Sequence, residues 1–443
     1  MDKRYSQAKL TKKKRTTQTC RVFECKIDHS HLSVAALNHL SSLFKEAKWF
    51  YNYCLGEDDL DAADTTARQI PVKVGDKDSD EYEDRALSVL QAQMKQSLKT
   101  RLWGSIMSLH ALKEKGFKVG KLKFKGRVNS IPLKQYNKTF FIKNNRVRIQ
   151  GLKPWLRVNG LNQLPKDAEI ACATLVKKGQ DYYINITTYT ATIPKVIPEA
   201  VVGIDFGCDT QLTFSNGVKV KFQVPPSKRL RRLDRKIMRR GKKARSNNKT
   251  KDQQKREKEY QRVTNRKKDI RHKLVHAITN NYRYVCFQDE SIHAWAMSGH
   301  GKKIQHSGIG SILADLKHKS ATPLEVDKFF PSTKLCPQCG KKNSPTLANR
   351  VYECDCGFVM DRDLKSSICI REEGMKQIPV DNREFTLGEI STSTFMGALV
   401  NIHGIHVSKL ESLNQEAAAR SGHEDVGSER KRTTKSSCRL ALR

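Results

Sequence analysis

Cys336 and Cys339 stand as C-x2-C and Cys354 and Cys356 as C-x-C, with fourteen residues between the pairs. Two knuckles of this kind close on one tetrahedral zinc ion. Pro337, Gly340 and Gly357 permit the tight turns that aim thiolates inward. With four sulfur ligands the ion has no open position, so the clip serves stability and not catalysis. Its second pair is one residue shorter than the usual knuckle. Directly after it come Asp361 and Asp363, opening a short helical segment. The clip therefore holds carboxylates beside a helix start, as one wall of an active site would require.

Two further carboxylates end apolar runs. Asp205 closes VVGID and Glu290 closes YVCFQDE. An aspartate in such a place is costly unless it is exposed at a turn, hydrogen-bonded or bound to a cation. Asp205, Glu290 and a carboxylate from the helix after the clip form an all-oxygen set with no convergent histidine. That set favours Mg²⁺ or Mn²⁺ over zinc. Two such ions about 4 Å apart activate a water and stabilise the leaving oxygen of a phosphodiester. Either Asp361 or Asp363 is able to cap the helix, so the residues alone leave the third ligand open.

The charge balance names the substrate class. Lys plus Arg number 83 against 46 acidic residues, a formal charge of +37 over 443 residues. Such an excess implies a polyanion partner, nucleic acid before a membrane surface, because the charge runs through most of the chain. It is densest over residues 228–273, with 22 Lys or Arg against 5 Asp or Glu. Leu230, Leu233 and Ile237 form one apolar stripe there; Tyr260, Val263, Ile270, Leu274 and Ile278 form a second beyond a polar break. Two helices with packed inner faces and basic outer faces are expected, as an arm contacting phosphates. Of twelve cysteines, eight are scattered without disulfide spacing, which fits a reducing compartment. No signal peptide and no membrane span are expected, so the protein is expected to be soluble and intracellular.

The elements that must position these residues follow from periodicity. TCRVFECKIDHS alternates as a strand, and Leu37, Leu40, Leu43, Phe44, Ala47, Phe50 and Tyr51 mark a helix over about 32–56. An acidic, turn-rich link is expected next, then a helix over about 80–115. Period two returns in KLKFK, TFFIKNNRVRIQGL, WLRVNG, EIACATLVKK and DYYINITTYTA, predicting a small antiparallel barrel that includes the first strand. Beyond residue 200 the predicted order is β-β-β-α-β-α-β-α, that of an RNase H-like fold. In that order the first and fourth strands are neighbours, and the last helix packs against them. His293, His300 and His306 fit no metal spacing and are read as loop residues; Gly299 to Ser311 is a loop or a mobile segment. Trp49, Trp103 and Trp155 are read as packing residues.

GIDFG around Asp205, the strand-ending Glu290, PSTKLCPQCG and CGFVMDRDLKSS resemble, in order, the RuvC-type motifs of the TnpB proteins of bacterial insertion sequences, relatives of the compact type V CRISPR nucleases. The resemblance covers roughly residues 201–371; upstream it is one of architecture only. It implies a multidomain α+β protein: a wedge-like β-barrel (1–31 and 119–198) carrying a helical recognition lobe (32–118), then a RuvC/RNase H-like nuclease domain (199–371). Within the latter lie the basic arm (228–283) and a four-cysteine zinc ribbon (331–362). A C-terminal segment (372–443) follows, its last thirty residues expected to be disordered. The resemblance also implies an RNA-guided DNA endonuclease acting in the prokaryotic cytoplasm on the nucleoid; a monomer is favoured, and the sequence leaves one protomer or two open. It would bind a transposon-derived guide RNA and cut double-stranded DNA beside a short adjacent motif. By the same resemblance the catalytic set is Asp205, Glu290 and Asp363, and Asp361 supports or caps. Where the family usually continues D-R-D-x-N-A-A, this chain has Lys365, Ser366 and Ser367. A cleavage-inactive guided repressor would have lost a carboxylate, and all three are present; a strand-transfer transposase would need a dedicated pairing domain, and none is visible.

Overall fold

Alternating apolar runs in the first half of the chain become one all-antiparallel sheet. In a computed structural model, which describes residues 10–57, 59–74, 81–241, 246–344, 349–378 and 390–410, the chain divides into two compact units. The first comprises residues 1–194 and 243–261, and the second residues 195–242 and 262–443.

In the first unit the strands are β1 (Gln18–Asp28), β4 (Ser130–Leu133), β5 (Phe140–Lys143), β6 (Arg146–Ile149), β7 (Leu156–Asn159), β8 (Glu169–Lys178) and β9 (Asp181–Ala191). Their order is β4-β8-β9-β1-β7-β6-β5, so β1 is the central strand although some hundred residues separate it from the next member, on the order expected of an inserted lobe. The sheet is barrel-like but open between β4 and β5, which do not pair. Inserted after β1 are helices α1 (Val34–Gly56) and α2 (Ala92–Glu114). Leu40, Leu43, Ala47 and Phe50 from α1 and Met94, Leu98 and Leu102 from α2 share one core with Ile27, Leu175 and Ile184 of the sheet. Buried Glu46 is satisfied there by the backbone N–H groups of Val89 (2.9 Å) and Leu90 (2.7 Å) and by the Ser88 hydroxyl.

Three expectations change in this unit. The link contains a hairpin, β2 (Gln69–Lys73) with β3 (Tyr82–Ala86), and α2 starts only at Ala92. Pairing of Ile70 opposite Arg85 overrides the helical reading of residues 80–91. KLKFK is not a strand: its side chains are mostly exposed, Phe124 among them, and it has no ladder partner among the described residues. Trp49 packs against the core, whereas Trp103 is 51% and Trp155 37% exposed, so the packing role fails for those two.

The second unit holds a six-stranded sheet: β10 (Val201–Phe206), β11 (Leu212–Phe214), β12 (Val218–Lys221), β13 (Tyr284–Gln288), β14 (Thr322–Val326) and β17 (His406–Lys409). The order is β14-β13-β10-β11-β12-β17; β14, β13, β10 and β12 run in one direction and β11 and β17 in the other. The first and fourth strands of the predicted order, β10 and β13, are neighbours. One face is covered by the second half of α4 (Asn247–Asn281), by α5 (Ile309–Lys319) and by α7 (Thr392–Val400); Val202, Ile204, Phe206, Val285 and Phe287 point into that core. The period of two sends Val201, Gly203 and Asp205, with Tyr284, Cys286 and Gln288, to the other face, against α6 (Arg362–Met375). The basic stretch forms α3 (Lys228–Arg239) and α4, with Leu230, Leu233, Ile237, Ile270, Leu274 and Ile278 buried and Val263 half-buried as the stripes require, whereas Tyr260, expected in the second stripe, is exposed. Residues 292–307 form short helical turns and not the expected loop, and they carry His293, His300 and His306. Strand β17 is an addition that its short polar sequence, HVSK, does not announce. The expected disordered tail lies outside the described residues. Among the described residues, no helix is long and apolar enough to cross a membrane.

Candidate active site

Helix α6 can lie directly on β10 because residue 203 has no side chain. A Cβ there would sit 2.1 Å from the Ser367 carbonyl oxygen and 2.8 Å from the Arg371 Cβ. A second close approach lies two turns on, where a Cβ at Gly374 would fall 2.6 Å from the Cys286 Sγ of β13. The helix is thereby laid across β10 and β13 with its N-terminus at the ends of both strands. Asp205 ends β10 on that face. Glu290 follows β13 by two residues, and Asp363 occupies the first turn of α6.

All three carboxylates are half-buried, and the charges of two of them act on Asp205. Burial, then the negative charges of Asp363 and Glu290, push the Asp205 carboxyl well above the ordinary carboxylate range, against the opposing pull of Arg362 and Lys365. Burial, aided by Asp289, raises Glu290 to about 7. Three anions so arranged repel, and a divalent cation among them would relieve both the repulsion and the lost hydration. The donor set is all oxygen, which suits a hard cation. Positive side chains stand nearby: Asp363 lies 3.5 Å from Arg350 and 3.6 Å from Arg362.

The pair Asp361 and Asp363 divides its work clearly. Asp361 is the N-cap of α6; its Oδ1 accepts from the Leu364 N–H at 2.9 Å, and its Oδ2 accepts from Lys219 Nζ at 2.7 Å. Both partners of that ion pair are nearly buried. Asp363, one step into the helix, pairs with Arg350 and Arg362, and its charge acts on Asp205.

Just before α6 the four cysteines come together. Cys336 Sγ lies 3.7 Å from Cys356 Sγ, Cys339 Sγ lies 3.6 Å from Cys354 Sγ, and all four sulfurs fall within 4.8 Å of one another. Thiolates about 2.3 Å from one tetrahedral ion sit roughly 3.8 Å apart, so the cluster has the spacing of a four-sulfur metal site. Gly340 (φ 72°) and Gly357 (φ 88°) make the left-handed turns that the knuckles need. The C-x-C pair is accommodated by a two-stranded ribbon, β15 (Val351–Glu353) with β16 (Val359–Asp361), and the Cys356 N–H draws the Cys354 thiol down to about 6. Among the described residues this is the one such tightly gathered set of ligating side chains; the carboxylates are more widely spread.

Several members of the site carry no signal in the sequence. Gln288 donates to the carbonyls of Asp327 (3.1 Å), Lys328 (3.1 Å) and Phe330 (2.8 Å), shaping the loop between β14 and the first knuckle. Lys365 does not reach into the cleft; its buried ammonium donates to the carbonyls of Ser332 (2.8 Å) and Leu335 (3.0 Å), and burial lowers it to about 8. Arg350 reaches both Asp209 (3.3 Å) and Asp363. A lysine or glutamine inside a helix or strand reads as solvated until its neighbours are known.

Comparison with known proteins gives matches to two segments of the chain. Residues 180–289 match the family described as "Probable transposase" (OrfB_IS605), and residues 314–370 match the "Cas12f1-like, TNB domain" family. The chain is 26% identical over 264 residues to a "Putative RNA-guided DNA endonuclease" of Streptomyces pristinaespiralis, covering 57% of this chain and 65% of that protein. It is 26% identical over 130 residues to the "TnpB-like protein L79" of Acanthamoeba polyphaga mimivirus, 26% of this chain and 24% of that one. The chain thus spans less than two thirds of either relative. Among solved structures, "Cryo-EM structure of the Cas12f1-sgRNA-target DNA complex" aligns over 63% of this chain and 71% of that chain, with 14% identity and a TM-score of 0.34. By its two family segments, in this order, and by its named relatives, the chain is similar to TnpB-like proteins.

Proposed function

We propose that the protein is an RNA-guided, metal-dependent DNA endonuclease with a RuvC-type site. The observation that carries this reading is the meeting of Asp205, Glu290 and Asp363 on one face, at the ends of β10 and β13 and the start of α6. The strand order β14-β13-β10-β11-β12, parallel except for the hairpin strand β11, is that of an RNase H-like sheet and supports the RuvC assignment. Residues 199–371 are the nuclease domain in this reading. Residues 1–31 with 119–198 form the wedge-like domain, and residues 32–118 the recognition lobe.

Two Mg²⁺ or Mn²⁺ ions, when bound, supply the charge that activates a water and stabilises the leaving oxygen of a phosphodiester. Asp205, Glu290 and Asp363 would together hold these ions. Asp363 is aimed by α6, whose positive N-terminal end favours its anion. Arg350 and Arg362 lie where a scissile phosphate would need positive charge. The cysteine cluster takes zinc and holds the start of α6, with no part in the reaction.

The formal charge of +37 and the basic faces of α3 and α4 suit a long polyanion. In the first unit, Lys143, Arg146 and Arg157 surround half-exposed Trp155 in a hollow that fits a phosphate and a base. The partners in this reading are a guide RNA from the flanking transposon sequence and double-stranded DNA next to a short adjacent motif. The setting is the prokaryotic cytoplasm.

The test uses protein co-purified with RNA transcribed from its own flanking DNA. A plasmid carrying a guide-matched target beside a randomised flank is supplied with Mg²⁺ or EDTA, alongside Asp205→Ala. Linear product only with the unaltered protein and Mg²⁺ is expected, together with undiminished target binding by Asp205→Ala. Target binding without cutting in any lane would instead make the protein a guided repressor, and joined strands would make it a transposase.

A further inference from the structure

Lys365 is fully buried, a rare state for a lysine, and nothing in the chemistry above uses it. Its Nζ donates to the carbonyls of Ser332 and Leu335, which lead into the first cysteine knuckle, and lies 4.0 Å from the ring centroid of Tyr352 in the second. Tyr352, itself fully buried, sends its hydroxyl to the Lys334 carbonyl at 3.1 Å. On the far side, the Ser332 hydroxyl donates to Gln288 Oε1 at 3.1 Å, and Gln288 ends the strand that leads to Glu290. One connected chain thus runs from α6 through Lys365 and Ser332 to Gln288 and β13, touching both cysteine knuckles on the way.

We propose that Lys365 is a positioning residue: its buried ammonium fixes the first turn of α6, and hence Asp363, against the cysteine cluster and against the strand end that carries Glu290. A residue serving only the core would be apolar, because an ammonium without partners is costly to bury. Two carbonyl acceptors and an aromatic face meet its need, and each is fixed in direction, so the charge sets an orientation that an apolar side chain of equal volume would not. The cysteine cluster is therefore coupled to the carboxylates through this side chain and not only through the chain from Cys356 to Asp361. That Asp363 acts in cutting rests on the function proposed above; the coupling itself does not.

The test compares the full chain with Lys365→Met, which keeps the volume, and with Ser332→Ala, which breaks only the link to Gln288. Amide hydrogen exchange, read by mass spectrometry, is followed in residues 361–366 and 288–291, with zinc bound and after chelation. Exchange in the first turn of α6 is expected to rise roughly tenfold or more in Lys365→Met, with zinc content unchanged. Chelation should loosen the same turn in the unaltered protein but add little in Lys365→Met. Ser332→Ala should loosen residues 288–291. Unchanged exchange in residues 361–366 of Lys365→Met, or fully additive effects of chelation and substitution, would overturn the proposal. In the cutting assay, Lys365→Met should lower the maximal rate and leave half-saturating target concentration unchanged; a protein that never cuts would refute the nuclease reading, while exchange would still decide the coupling.

Discussion

Replacing Gly203 with alanine probes the contact on which the site geometry depends. The new Cβ would start 2.1 Å from the Ser367 carbonyl oxygen and 2.8 Å from the Arg371 Cβ; a carbonyl cannot turn aside within a helix, and ordinary contact begins near 3.4 Å. Either α6 withdraws from β10 by about 1 Å or the strand bends by as much. Overpacking of this kind costs about 1–3 kcal/mol. For a unit of this size that corresponds to a melting temperature lower by roughly 3–10 °C. The effect on cutting should be larger than the effect on stability, because Asp363 rides on the helix that moves while Asp205 stays with the strand. A displacement of about 1 Å among reacting groups costs roughly a hundredfold in rate. Melting followed by circular dichroism, and plasmid cutting in Mg²⁺ at saturating guide RNA, read the two effects separately. Gly203→Ala protein with unaltered melting and an unaltered cutting rate would refute the argument that α6 is seated on β10 at this glycine.

Two other outcomes are expected. Cys336→Ser should lower the melting temperature by at least about 5 °C, and a zinc chelator should do the same to the unaltered protein; equal melting with and without chelator would mean that the cluster holds no structural metal. Asp361→Ala should lose about 1 kcal/mol from the missing cap and a further 1–3 from stranding nearly buried Lys219, whereas Asp361→Asn keeps the cap and should lose less. Urea unfolding of both variants measures the difference, and equal losses would deny the cap any contribution.

Much of the site was legible from residue order alone, because the signals that reveal it are local. Cysteine spacing with Gly340 and Gly357 dictates two facing knuckles, and the sulfurs indeed gather. The alternation in VVGID puts Asp205 at a strand end on the face opposite Val202 and Ile204, and the order of elements makes β10 and β13 neighbours. The two apolar stripes in the basic stretch require the buried faces that α3 and α4 show, except at Tyr260, which is exposed.

Other features were decided only in three dimensions, by partners far away in the chain. Asp361 is the cap, held by Lys219 142 residues away, whereas Asp363 pairs with Arg350 and Arg362 and its charge acts on Asp205. Lys365 stands out in the sequence only as a departure from the family's motif, and its partners, the carbonyls of Ser332 and Leu335 and the ring of Tyr352, are known only from the fold. The β2–β3 hairpin and strand β17 exist because a second strand is present to pair with; neither has the length or alternation to be read alone. Periodicity and ligand spacing act over a few residues and are written into the order of side chains. The environment of a buried charge and the pairing of a short strand depend on what the rest of the fold brings alongside, and that is settled by packing.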